Sequence, residues 1–265
     1  MSEYNPDRAL QERIEAERNE YRAIVRRVLA EVFDDVLEGS EREKRLALVD
    51  QVKFVTPSQM DAIAQDNPRE AGADGLIQYE IVGTEVRRIP VVLHSESRAE
   101  TLHTLAHEGT YLMSPESVFV TNPIAEPDEE TFSDYLGGLR LERNRQTKRV
   151  DPMSVPDNAA PQALFWEAIT DWIAEFSLGD ELSREEQEEI ATSGYFERHW
   201  IGYLVRKSPD NVELVRAMKE SYATGYDDAL RGCLQKQLRA QDDHFYDELL
   251  KIIGRRRTDG KRVDD

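Results

Sequence analysis

Thr101-Leu102-His103-Thr104-Leu105-Ala106-His107-Glu108-Gly109-Thr110-Tyr111-Leu112-Met113 is the stretch whose reading decides the rest of the chain. Its apolar residues Leu102, Leu105, Ala106, Leu112 and Met113 recur at steps of three and four, the period of a buried helix. His103, His107 and Tyr111 stand four residues apart and therefore project as one stripe. On such a stripe two imidazoles one turn apart can hold a single zinc ion, and a carboxylate next to the first can take a proton from zinc-bound water. His107 and Glu108 fill the positions of first ligand and base. Tyr111 stands where the second imidazole would be, and a phenol with a pKa of ~10 ligates well only as phenolate.

With Tyr111 in the last place, His107-Glu108-Gly109-Thr110-Tyr111 resembles the zincin metallopeptidase motif H-E-x-x-H. Phe165-Trp166-Glu167-Ala168-Ile169-Thr170-Asp171-Trp172 follows on a second apolar helix and is similar to the gluzincin branch of that family. The resemblance implies Glu167 as third zinc ligand and Asp171 as the residue that orients a motif histidine. It extends over roughly Glu85 to Ile253, through Tyr195, Leu204, Leu214, Tyr222, Gly225 and Leu230, but its specific part is the two short motifs. The expected fold is α+β and zincin-like: a small mixed sheet over the His107 helix, then a mainly helical C-terminal subdomain.

Three arrangements of the site follow. In one, His107, Glu167 and Tyr111 or water hold a weak zinc ion, with Glu108 as base, and the protein is a hydrolase of peptides or proteins. In another, His103 and His107 are the imidazole pair, and Glu108 is displaced from the base position. In the third no metal binds, and the two carboxylates Glu108 and Glu167 need hydrogen bonds from His103, His107 or Tyr111 to offset burial. The functional expectation is a zincin-like, metallopeptidase-related protein with a degenerate zinc site. The competing expectation is a non-catalytic structural or assembly protein, such as a virion or complex component of a halophile, acting through protein partners.

Composition narrows the setting. The formal net charge is −19, and only eight of the 34 basic residues are lysines. A phosphate backbone would be repelled, which excludes nucleic acid as the expected partner. Dense carboxylates with few lysines resemble proteins of extreme halophiles, whose self-repulsion is screened by concentrated salt. The thermal midpoint is accordingly expected to rise between dilute buffer and molar KCl; an unchanged midpoint would refute the halophile reading. No apolar run approaches the ~20 residues that cross a bilayer, and no signal-peptide pattern opens the chain, so a cytoplasmic or virion-associated location is expected. The single cysteine, Cys233, sits beside Leu230 and Leu234 and reads as a core thiol.

Working outward, Arg8–Leu37 reads as one amphipathic helix ended by Gly39, within an N-terminal segment 1–40. This helix has no obvious partner in the sequence, which leaves an oligomer open. Segment 41–114 carries a short helix around Arg42–Leu48, a strand Val52–Val55, a short helix after Pro57, a hairpin Leu76–Val82 and Glu85–Leu93, and the histidine helix. Pro90 cannot donate to a ladder, so Glu85–Leu93 is expected at a sheet edge, where the resemblance would place a bound peptide. Segment 115–161 reads as a long loop in which only Glu129–Leu141 could be helical. Segment 162–253 is helical, with Ser183-Arg184-Glu185-Glu186 resembling a capping box, and 254–265 is a charged tail. His94 reads as a surface turn, His199 as a helix-contact residue that could reach the site, and His244 as a residue suited to a helix C-terminus.

Overall fold

The structure, a computed structural model, describes residues 6–66, 72–82, 85–114, 129–133, 140–144, 150–152, 160–192, 198–225 and 228–237. The expectations for Tyr195, for His244, for the last helix beyond residue 237 and for the tail lie outside these residues. The described chain is α+β and mostly helical. Its elements are α1 (Pro6–Val32), α2 (Gly39–Val49), β1 (Lys53–Val55), α3 (Pro57–Asp66), β2 (Gly75–Val82), β3 (Glu85–Leu93) and α4 (Arg98–Leu112). After these come β4 (Glu129–Ser133), β5 (Arg140–Asn144), β6 (Val150–Pro152), α5 (Ala160–Leu178), α6 (Arg184–Thr192), α7 (Arg198–Lys207), α8 (Asn211–Thr224) and α9 (Asp228–Gln237).

α4 is the axis of the fold. Ser97 caps it by accepting from the Glu100 amide at 3.2 Å, which satisfies one of the unpaired donors of a helix start. Leu102, Leu105, Ala106 and Leu112 are fully buried in a core shared with α1, α2, α5 and α8. α1 approaches α4 so closely that a Cβ on Gly109 would fall 2.8 Å from Leu29 Cδ1 and 3.3 Å from Val25 Cγ1. Gly109→Ala is therefore expected to destabilise by about 1–3 kcal/mol, the cost of overpacking a core. Urea unfolding checks it; a gain in stability from the improved helix propensity would show that α1 yields.

Two buried arginines close the other end of α4, where the last carbonyls lack helical partners. Arg88 of β3 donates to Tyr111 O at 3.1 Å, Ser114 Oγ at 2.8 Å and Ser114 O at 3.0 Å. Arg45 of α2 donates to Met113 O and, at 2.9 Å, to Ala223 O at the end of α8.

The first sheet has the order β1-β3-β2, with β1 parallel and β2 antiparallel to β3. This corrects the edge position expected for Glu85–Leu93: β3 is the central strand, and β2 is an outer one among the described residues. Pro90 is accommodated because β1 pairs only with Val91, Val92 and Leu93, after the proline, while Pro90 itself faces Ile77 of β2. Arg88 of the same strand points inward to the end of α4.

Further corrections concern boundaries. The first helix ends at Val32, followed by a turn in which Phe33 and Leu37 stay buried, and Gly39 opens α2 instead of closing α1. The described parts of the expected Glu129–Leu141 helix, Glu129–Ser133 and Arg140–Leu141, are strand, and the stretch expected as a loop holds the antiparallel sheet β4-β5-β6. In the helical half the capping box is present: Glu186 N donates to Ser183 Oγ at 3.3 Å and Ser183 N to Glu186 Oε2 at 2.8 Å. α8 spans the residues expected and ends at Gly225, whose φ of 78° is the left-handed conformation that glycine adopts without strain. Cys233 is buried, as expected of a core thiol. Among the described residues no helix is long and apolar enough to cross a membrane.

Candidate metal centre

α4 and α5 pack side by side, and this brings together the residues singled out on each: His103, His107, Glu108 and Tyr111 from α4, Glu167 and Asp171 from α5. His103, His107, Glu108 and Asp171 are all buried, Asp171 to 2 % exposure. Asp171 is the hub. Its Oδ1 accepts from His107 Nδ1 at 3.2 Å and lies 3.4 Å from His103 Nε2, and its Oδ2 accepts from Arg198 Nη1 at 3.0 Å. With Nδ1 held, His107 turns Nε2 toward Glu167 Oε2 at 3.4 Å.

The electrostatics follow from these contacts. Burial opposes a charged His107, but the hydrogen bonds to Asp171 and then Glu167 outweigh it and raise its pKa to about 10. Between two carboxylates it is an imidazolium at neutral pH. Burial also drives His103, which lacks such a bracket, down to about 4, leaving it neutral. For Asp171 burial acts upward, yet the His107 hydrogen bond and the charges of both histidines and Arg198 bring it down to about 2. Burial, then the charge of Glu167, pushes the Tyr111 phenol well above 10.

Zinc fits this set at two corners and fails at the third. Tetrahedral ligands at about 2.0–2.1 Å from zinc lie about 3.3 Å apart, close to the His107–Glu167 separation, and Asp171 supplies the carboxylate that commonly orients a zinc histidine. The third position is Tyr111, whose phenol is held far from phenolate by burial and then by the charge of Glu167. Among the described residues no group of three or more His, Cys, Asp or Glu side chains is placed to hold one ion. His103 does not complete the set, since its Nε2 faces the same Asp171 oxygen as His107.

Glu108 lies against β2: a Cβ on Gly75 would sit 2.7 Å from Glu108 Oε1 and 2.7 Å from Thr104 Cγ2. The first residue of β2 must therefore be glycine for the strand to run this close to the carboxylate. An aromatic wall closes the site on the α8 side, where the Tyr111 ring lies 5.4 Å from His107 and 6.3 Å from Tyr222, and Tyr222 shares a 2.8 Å hydrogen bond with Thr170.

No protein family, curated protein or solved structure matches the chain. The site therefore stands on its own geometry.

Sequence reasoning missed Arg198. It is 1 % exposed and bridges Asp171, Glu175 (Nε to Oε2, 3.2 Å) and the Ile190 carbonyl. The signal available was weak, an arginine opening the apolar helix α7 in a chain rich in surface arginines. His199 is exposed on α7. His94 is half-buried, stacked on Tyr21 at 6.2 Å and edge-on to Phe54 at 6.0 Å, rather than in an open turn.

Proposed function

We propose that this chain is a zincin-like, metallopeptidase-related protein whose zinc site is degenerate, a former ligand set closed into a hydrogen-bonded core. The observation that carries this reading is the His107 ring paired on one side with Glu167 and on the other with Asp171, beside a Tyr111 phenol whose pKa is held well above its ordinary value. His107 and Glu167, two of the groups that would hold zinc, face each other in its place. Support also comes from the order of elements: a parallel β1–β3 pair, an antiparallel β2 beside Glu108, the helix bearing His107-Glu108, and a later helix bearing Glu167 and Asp171.

In this state Glu108 has no activated water to deprotonate, and peptide hydrolysis is not expected. The exposed Trp200 and Tyr203 on α7 favour the companion reading, a non-catalytic component of a protein assembly. Elemental analysis of protein purified in high salt without chelator tests the proposal. Wild type should carry well under one zinc per chain, and Tyr111→His should approach one, falling again on Glu167→Ala. One zinc per wild-type chain, with peptidase activity abolished by Glu108→Gln, would overturn it.

A further inference from the structure

On α5, one turn beyond Asp171, the side chains leave the polar core and enter a cavity of about 510 Å³ between α5, α6 and α7. This is within the size range of small-molecule sites, about 300–1,000 Å³. Its wall from α5 is aromatic: Trp172 and Phe176 stack with centroids 5.2 Å apart and planes 15° from parallel, and Phe176 is 56 % exposed. A large ring left this open, on a rigid helix and already aligned with an indole, is a surface onto which another flat ring can stack.

The opposite wall carries the charge. Gly202 is buried on α7, and the space its missing side chain leaves is taken by Arg206, whose Nη1 lies 3.3 Å from where a Cβ would be, with Trp172 Nε1 at 3.6 Å from the same point. Among the described residues Arg206 has no hydrogen-bond or ion-pair partner. The acids in the lining do not neutralise it, because Glu175 is paired with Arg198 at 3.2 Å and Asp180 is exposed in the turn after α5. On a chain of net charge −19, an uncommitted guanidinium beside an aromatic stack selects an anion, and its planar fork matches a carboxylate.

We propose that this cavity binds a planar aromatic carboxylate, with the ring on Trp172 and Phe176 and the carboxylate on Arg206. The site lies outside the His107–Glu167 cluster and does not depend on the reading of that cluster.

The test is calorimetric titration of naphthalene-2-carboxylate into the full chain in KCl buffer, with naphthalen-2-ylmethylamine as the probe of opposite charge. One site per chain is expected for the carboxylate, weakened at least tenfold by Arg206→Met and by Phe176→Ala. Both substitutions are at exposed positions, and an unchanged thermal midpoint confirms that each variant is folded. Gly202→Ala should weaken binding as well, by displacing the guanidinium. Absence of saturable binding overturns the proposal, as does equal binding of the amine, which would transfer the selectivity to Asp180. Undiminished binding in Arg206→Met also overturns it, since the cavity would then be an apolar surface only.

Discussion

Arg198→Met should lower the unfolding free energy by about 3–5 kcal/mol, the cost of leaving one partner of a buried ion pair alone. The size follows from Asp171, which is 2 % exposed and takes its one full positive charge independent of pH from Arg198 at 3.0 Å. Without it, Asp171 relies on His107, which Glu167 also claims. The Ile190 carbonyl loses its guanidinium donor in the same step, which loosens the end of α6. Methionine fills much of the volume, so the loss reads charge more than cavity. Urea unfolding of Arg198→Met, Asp171→Asn and the double variant forms a cycle in which the double variant should be less impaired than the sum. A single-variant loss below about 1 kcal/mol would show that the core does not need this cation.

The second large effect is a stability maximum near pH 6.5 with losses on both sides. His107 has its pKa raised from 6.5 to about 10 on folding, so its contribution is complete below 6.5 and disappears as pH rises through about 10. His103 runs the other way, lowered to about 4, so stability falls as pH drops from 6.5 toward 4. Asp171, lowered from 3.8 to about 2, extends that acid loss from 3.8 downward. Each arm amounts to a few kcal/mol on the scale of about 1.4 kcal/mol per pKa unit, shared among coupled groups. Unfolding midpoints in urea from pH 4 to 10 measure both arms. His107→Asn should flatten the alkaline arm alone, and wild-type stability that stays level from pH 6.5 to 10 would refute the charged imidazole.

The parts legible in the sequence were those set by local periodicity and capping. The hairpin of β2 and β3, the helix from Asn211 to Thr224 and the Ser183–Glu186 capping box all depend on neighbours within a few residues. The meeting of His107 with Glu167 and Asp171 was expected only through the family resemblance; spacing alone puts Glu167 and Asp171 on one helix face and does not say which helix that face meets. What was not legible depends on pairing across distance. Pro90 pointed to an edge, and only the shortness of β1 lets the strand be central. Arg198 carries no sign in the sequence that its charge is spent on Asp171, a residue 27 positions away. The strands of 129–152 lack the alternation that would separate them from a loop.

Arg45 has a consequence for how the chain can come together. Its guanidinium serves carbonyls 68 and 178 positions further along, Met113 at the end of α4 and Ala223 at the end of α8. The charge itself is paired one turn away, Nε donating to Glu41 Oε1 at 2.9 Å, but Nη1 finds its acceptors only where the amino-terminal, central and carboxy-terminal thirds meet. A cut that removes either carbonyl is therefore expected to loosen the ends of both α4 and α8, which this one side chain ties together.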